Sequence, residues 1–262
     1  MKNLLTKVLL LLTFGLLVST SSLSAKEYSK VELLNLAGKQ RMLSQRIAKD
    51  YFYIGKGINV SKATKQLKSS LQAFNKAQRV LAASIKDDEI QNMLMFVDMS
   101  SDDFSSIVME PYSLDNGALI LDLSESMLEG SQYVVDALKK DLKQQVSSII
   151  DIAGRQRMLS QRIAKYYISY QAGIKDKNSI TQMQEAVKLF DDSHKKLMSN
   201  KTNSTEINKS LKKVDRLWKI VYKFYLNIEK GGLPIIVFST TDDITKKMNK
   251  IVGMYVDALE KK

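Results

Sequence analysis

A block of seventeen residues occurs twice in this chain. Residues 37–53 read AGKQRMLSQRIAKDYFY and residues 153–169 read AGRQRMLSQRIAKYYIS, with thirteen positions identical at a constant offset of 116. Identity that dense marks a duplicated structural unit, and each copy has to supply the same supersecondary element. The ends of the units echo each other too. Tyr133–Leu138 reads YVVDAL and Tyr255–Leu259 reads YVDAL, so the second unit closes a few residues later than the first.

The repeated unit reads as helical. Pro111 and Pro234 are the only prolines in 262 residues, and glycine is sparse at 11. Few helix breakers over this length favour long helices over sheet. Four helical patterns fall in each unit: 27–55, 61–85, 87–109 and 117–138, then 142–172, 179–199, 204–230 and 240–259. Ser61, Ser179 and Ser204 are candidate N-caps. Gly55, Gly57 and Gly173 are candidate stops, and Gly231-Gly232 with Pro234 marks a turn. The stretch 233–239 (LPIIVFS) has strand-like character but reads as the lead-in to the last helix. The expected architecture is all-α, two tandem up-down four-helix bundles, one over 26–141 and one over 142–262.

The first 25 residues read as a secretory signal peptide. Lys2 and Lys7 open it, an apolar run follows from Leu4 to Val18, and small residues fill Ser19 to Ala25. The run is short for a membrane span, and no later segment is long and apolar enough for one. Cleavage after Ser24 or Ala25 places the mature chain in the periplasm; an uncleaved anchor is the alternative. Cysteine is absent, so packing alone must hold the fold, with no disulfide or thiolate metal site. The net charge is +12, of which two charges lie in the leader. A positive field attracts anions. Secretion argues against nucleic acid as the partner, and no nucleic-acid motif is present.

Helical spacing turns the repeat into a site. Leu34, Ala37, Arg41, Ser44, Ala48 and Tyr51 follow a 3-4-3-4-3 spacing, and Ile150, Ala153, Arg157, Ser160, Ala164 and Tyr167 repeat it. Such a stripe faces a partner helix. Its middle is an arginine where a large aliphatic residue is expected. Gly38 and Gly154 beside it permit close approach of another backbone, at a helix cost of about 1 kcal/mol relative to Ala. An arginine in a seam must find a counter-charge or water, because an unpaired buried charge costs several kcal/mol. Ser44, Ser160, Gln45 and Gln161 can hydrogen-bond there but cannot neutralise it. If the two seams meet, Arg41 and Arg157 face each other, and a small planar oxyanion satisfies both guanidinium forks. Nitrate and nitrite are natural candidates. The competing reading pairs each arginine with an acid from another helix, or lets it snorkel to water. Arg46 and Arg162 lie about 140° further round the helix, off the seam, and are expected to pair with acids or sit at the surface. Met42, Leu43 and Ile47 and their repeats are expected in the core.

The segments Ala37–Arg46 and Ala153–Arg162 resemble the first helix of the PilJ/NarX-type sensor domain, found outside the membrane in nitrate/nitrite sensor kinases and in type IV pilus chemoreceptors. The resemblance implies a four-helix bundle whose first helices pair across a dimer interface and hold one nitrate. It places the ligand glycine at Gly38 and Gly154, the clamping arginine at Arg41 and Arg157, and the later motif arginine, a secondary site residue, at Arg46 and Arg162. The chain departs from such sensors in showing no transmembrane helix after the bundle, no kinase and no methyl-accepting region. Two units in one chain imply a fused pseudo-dimer, side by side, if the chain reverses near Lys139–Lys143, although no Gly or Pro marks a turn there. A continuous helix would stack the units end to end and leave each site to a homodimer.

Three functions compete. One is a periplasmic, non-enzymatic oxyanion-binding protein reporting to a membrane sensor kinase or chemoreceptor. Another is a helical interaction module for a pilin or a chemoreceptor's outer domain. The least favoured is an enzyme: His194, the single histidine, has no visible acid–base partner and reads as a surface residue, and no cofactor, metal or nucleophile motif appears. The acid pairs Asp102-Asp103, Asp191-Asp192 and Asp242-Asp243 read as helix-start or surface charges.

Overall fold

The computed structural model describes residues 27–140, 142 and 144–260; the signal peptide expected over 1–25 lies outside them. Among the described residues the regular structure is helical: α1 (Lys30–Gly55), α2 (Val60–Ser84), α3 (Asp88–Val108), α4 (Leu114–Lys140), α5 (Gln144–Gln171), α6 (Lys177–Met198), α7 (Thr205–Leu226), a 3-10 turn (Ile228–Lys230) and α8 (Pro234–Glu260). Each set of four runs up and down as a bundle. α1 packs on α2 and α4, α5 packs on α6 and α8, and the two bundles meet along α1 and α5. The units therefore lie side by side. The chain reverses between α4 and α5 without Gly or Pro, where the Leu142 amide donates to the Lys139 carbonyl at 3.2 Å.

Local sequence explains most helix ends. Ser29 and Glu32 form a reciprocal capping box at the start of α1, with Ser29 N to Glu32 Oε2 at 2.9 Å and Glu32 N to Ser29 Oγ at 3.1 Å. Asp87 caps α3 and Ser204 caps α7. Two expected caps are corrected. Asp176, not Ser179, caps α6, accepting from the Ser179 amide at 2.8 Å. Asn59, not Ser61, precedes α2, in a left-handed conformation with no side-chain cap. Gly57 and Gly173 take φ values of 72° and 112° just beyond α1 and α5, where a side chain would be strained. The strand-like stretch 233–239 is helical from Pro234, which sits at the first helical position, where its missing N–H costs nothing.

The expected seams are buried throughout, from Leu34 to Tyr51 and from Ile150 to Tyr167, and so are Met42, Leu43, Ile47, Met158, Leu159 and Ile163. Each large apolar side chain buried there contributes about 1.5–3 kcal/mol. The later helices match at an offset of 117. Ile90, Leu94, Val97 and Phe104 of α3 are buried, as are Ile207, Leu211, Val214 and Val221 of α7. His194 is not a surface residue. It is buried in α6 and stacks on Phe190 at 5.9 Å between ring centroids, because α6 turns that face onto its own bundle. Burial lowers its pKa.

Candidate functional site

Halfway along the α1–α5 contact, two arginines share one small space. A Cβ on Gly38 would lie 3.3 Å from the Nη2 atoms of both Arg41 and Arg157; one on Gly154 would lie 3.3 Å from Arg157 Nη2 and 3.5 Å from Arg41 Nη2. The two helices therefore run parallel, with their glycine–arginine pairs level. The missing side chains are what leave room for the guanidiniums. Both arginines are almost fully enclosed, at 1% and 3% exposure.

Their partners come from the fourth helices. Arg41 Nη1 donates to Gln132 Oε1 at 2.5 Å, and Arg157 Nη1 donates to Asn249 Oδ1 at 3.1 Å. Gln132 and Asn249 are equivalent in the two units. Both are neutral, so they orient the forks without cancelling charge. The symmetry then breaks. Arg41 Nη2 meets Asp151 Oδ1 at 2.9 Å. The position matching Asp151 in the first unit is Asn35, and only its backbone carbonyl reaches Arg157 Nη2, at 3.4 Å. Among the described residues no carboxylate pairs with Arg157, and the Nε atoms of both arginines lack hydrogen-bond partners. Burial, and then the charge of Arg41, push the Arg157 guanidinium down to about 9, still protonated at neutral pH. Burial also lowers Arg41, with Asp151 opposing the shift. Asp151 is shared, its Oδ2 lying 3.1 Å from Lys139 and 3.0 Å from Arg155.

The other expected site residues face elsewhere. Ser44 and Ser160 donate to the carbonyls of Arg41 and Arg157, one turn back on their own helices. Gln45 donates to the Ser124 carbonyl of α4, and Gln161 to Thr245 Oγ1 of α8. Arg46 and Arg162 take part in two matching clasps that cross between the units. Asp242 of α8 is held by Lys49 at 2.9 Å, by Gln66 at 2.9 Å and by Arg46 at 4.0 Å. Glu125 of α4 is held by Lys165 at 2.5 Å and by Arg162 at 2.5 Å, with Gln182 bonded to Arg162 at 2.9 Å. Asp242 is therefore no surface charge. Burial would raise the Glu125 carboxyl, but Lys165 and Arg162 outweigh it and hold it at about 2.

The sequence reading missed Lys49 and Lys165, although both lie in the duplicated block. It also missed Asp151 and its partners. The signal for Asp151 was present: the seam repeats on either side of residues 35 and 151, but an amide stands at one and a carboxylate at the other. Among the described residues no group of three His, Cys, Asp or Glu side chains is placed to hold a metal ion.

The comparison with known families returns the type IV pili methyl-accepting chemotaxis transducer N-terminal family, PilJ, matching residues 23–91 and 142–229. The chain belongs to this family. Both matched stretches contain a glycine–arginine pair of the seam, so the chain carries two tandem PilJ copies, and the central arginine pair lies between them. No curated protein and no solved structure matches the chain.

Proposed function

We propose that this PilJ protein is a periplasmic, non-enzymatic sensor-type binding protein that holds one small planar oxyanion, nitrate or nitrite, between Arg41 and Arg157 and reports its presence to a membrane sensor kinase or chemoreceptor. The observation that carries this reading is a buried guanidinium, Arg157, with no carboxylate among the described residues and with a second guanidinium beside it. Such a pair is costly unless an anion joins it. Asp151, the one carboxylate that reaches the pair, is shared with Lys139 and Arg155, so positive charge is left over at the site for an anion. A planar anion matches the planar forks, and Gly38 and Gly154 keep side chains out of the space between. The family description supplies the chemotactic context. No helix among the described residues is long and apolar enough to cross a membrane; the report to the cytoplasm belongs, in this proposal, to a membrane partner.

Thermal denaturation tests the reading. Nitrate or nitrite at about 100 times its Kd should stabilise the protein by about 2.7 kcal/mol, with chloride at equal ionic strength as control, and Arg157→Ala should remove the effect. Equal melting curves in millimolar nitrate, nitrite and chloride would reject it.

One observation favours a second reading. Asp151 already supplies Arg41 with an anion from within the chain. In that reading the chain is a helical interaction module for a pilin or a chemoreceptor's outer domain, and the arginine pair only joins the two units. Capture of such a partner by the Arg41→Ala and Arg157→Ala variants would then match the wild type.

A further inference from the structure

The third helices, α3 and α7, are equivalent in fold and opposite in surface. At the offset of 117 their buried positions coincide, while their outward stripes do not. Met95, Phe96, Met99 and Asp102 on α3 correspond to Lys212, Lys213, Arg216 and Lys219 on α7. Residues 88–108 contain five acids and no lysine or arginine, whereas 205–226 contain five lysines and one arginine against two acids. On α3 the apolar residues are bare: Met95, Phe96 and Met99 are 58%, 46% and 70% exposed, with Asp98, Asp102 and Asp103 exposed around them. On α7 Lys209, Lys212, Lys213 and Arg216 line one shallow basic surface.

Packing puts these faces on opposite sides of the molecule. α3 packs chiefly on α4, and α7 on α8, while the two bundles join through α1 and α5. Equivalent helices in two units joined about that seam point away from each other, so one chain cannot bring its own faces together.

We propose that copies of this chain associate head to tail, with the acidic and apolar α3 face of one molecule on the basic α7 face of the next. The chemistry matches on both counts. Lysine and arginine heads meet the carboxylates, and their methylene stems lie over the methionines. An arginine beside Phe96 adds a cation–π contact. An exposed apolar patch rimmed by charge is the usual mark of a protein interface. Because each contact uses two different surfaces, the association is heterologous and extends to open chains or rings rather than stopping at a pair.

Sedimentation velocity of residues 26–262 tests this at about 20 mM and about 500 mM salt, where screening lengths differ several-fold. The wild type should form concentration-dependent oligomers at low salt and dissociate at high salt. Asp98→Lys with Asp102→Lys removes most of the acidic charge of α3, leaving three acids against two lysines, and Lys212→Glu with Arg216→Glu cancels the basic charge of α7, leaving four lysines against four acids. Each double variant alone should be monomeric, and an equimolar mixture should associate again, which also shows that both variants are folded. A wild type that stays monomeric over all concentrations and salts overturns the proposal. So does association that neither double variant alters. Binding of the basic face to anionic phosphatidylglycerol vesicles without any self-association overturns it as well.

Discussion

Arg41 and Arg157 point their Nη2 atoms at the same two glycines, yet only Arg41 meets a carboxylate. A duplicated seam has thus become an unequal pair. One guanidinium meets a carboxylate from within the chain, shared with Lys139 and Arg155, and the other is left to a neutral amide and a backbone carbonyl. Predictions about ligand and stability follow from that inequality.

Filling the space should uncouple stability from binding. Gly38→Ala gains about 1 kcal/mol of helix propensity, and its Cβ would press on both Nη2 atoms at 3.3 Å. The variant is expected to melt at or near the wild-type temperature without ligand and to bind nitrate at least about tenfold more weakly, a loss of about 1.4 kcal/mol. Calorimetry beside a melting curve checks both; unchanged affinity would show that the space is not the ligand's.

Exchanging the unequal pair should move the stability. Asp151→Asn leaves Arg41 buried without its counter-charge, at an expected cost of about 3–5 kcal/mol, and nitrate should restore more stability to it than to the wild type. Asn35→Asp supplies the second unit's missing acid to Arg157. It should raise ligand-free stability and suppress nitrate binding. Urea denaturation with and without nitrate reads both, and equal nitrate responses in the two variants would contradict the assignment.

The crossed clasps should prove stabilising rather than ligand-related. Removing the carboxylate in Asp242→Ala leaves the buried Lys49 ammonium only the more distant Asp50 carboxylate, 3.4 Å away, and Glu125→Ala strands Lys165. Each is expected to cost about 3–5 kcal/mol in urea unfolding while leaving nitrate affinity within about twofold, roughly 0.4 kcal/mol. Loss of binding at full stability would place the clasps in the ligand site instead.

Asp50 gives the protein a pH signature. Its carboxylate is buried with neither oxygen hydrogen-bonded; Lys49 is 3.4 Å away but already held by Asp242. Burial first, then the charge of Asp242, raises its pKa to about 7. The unfolded chain ionises near the ordinary carboxylate value while the folded chain resists, so this group's contribution is intact at low pH and is lost as pH rises towards 7. His194, whose lowered pKa acts in the opposite sense as pH falls, overlaps that window, so the difference between proteins is the useful reading. Asp50→Asn should gain stability relative to the wild type between pH 5 and pH 8. Parallel melting profiles would contradict the burial argument.

Much of the fold was legible because duplication and heptad spacing are local, repeated signals. Arg41 and Arg157 could be placed in one seam from the 3-4-3-4-3 spacing alone, and burial follows the pattern from Leu34 to Tyr51. The helix starts at Asn59 and Asp176 were misread, because the nearby serines at 61 and 179 fit the same local rule. Contacts set by tertiary approach were not legible. Asp151 reaches Arg41 from the other unit, and Glu125 and Asp242 cross between units, separations over which sequence periodicity says nothing. The stretch 233–239 is rich in residues suited to either strand or helix, and only packing of Val237 and Phe238 into the core decides for helix.

Titration calorimetry of residues 26–262 with nitrate measures the central claim most directly, through stoichiometry. One nitrate per chain, lost in both Arg41→Ala and Arg157→Ala, is the expected result. Absence of heat and of saturation, or one nitrate for every two chains, would contradict a site formed between the two halves of a single molecule.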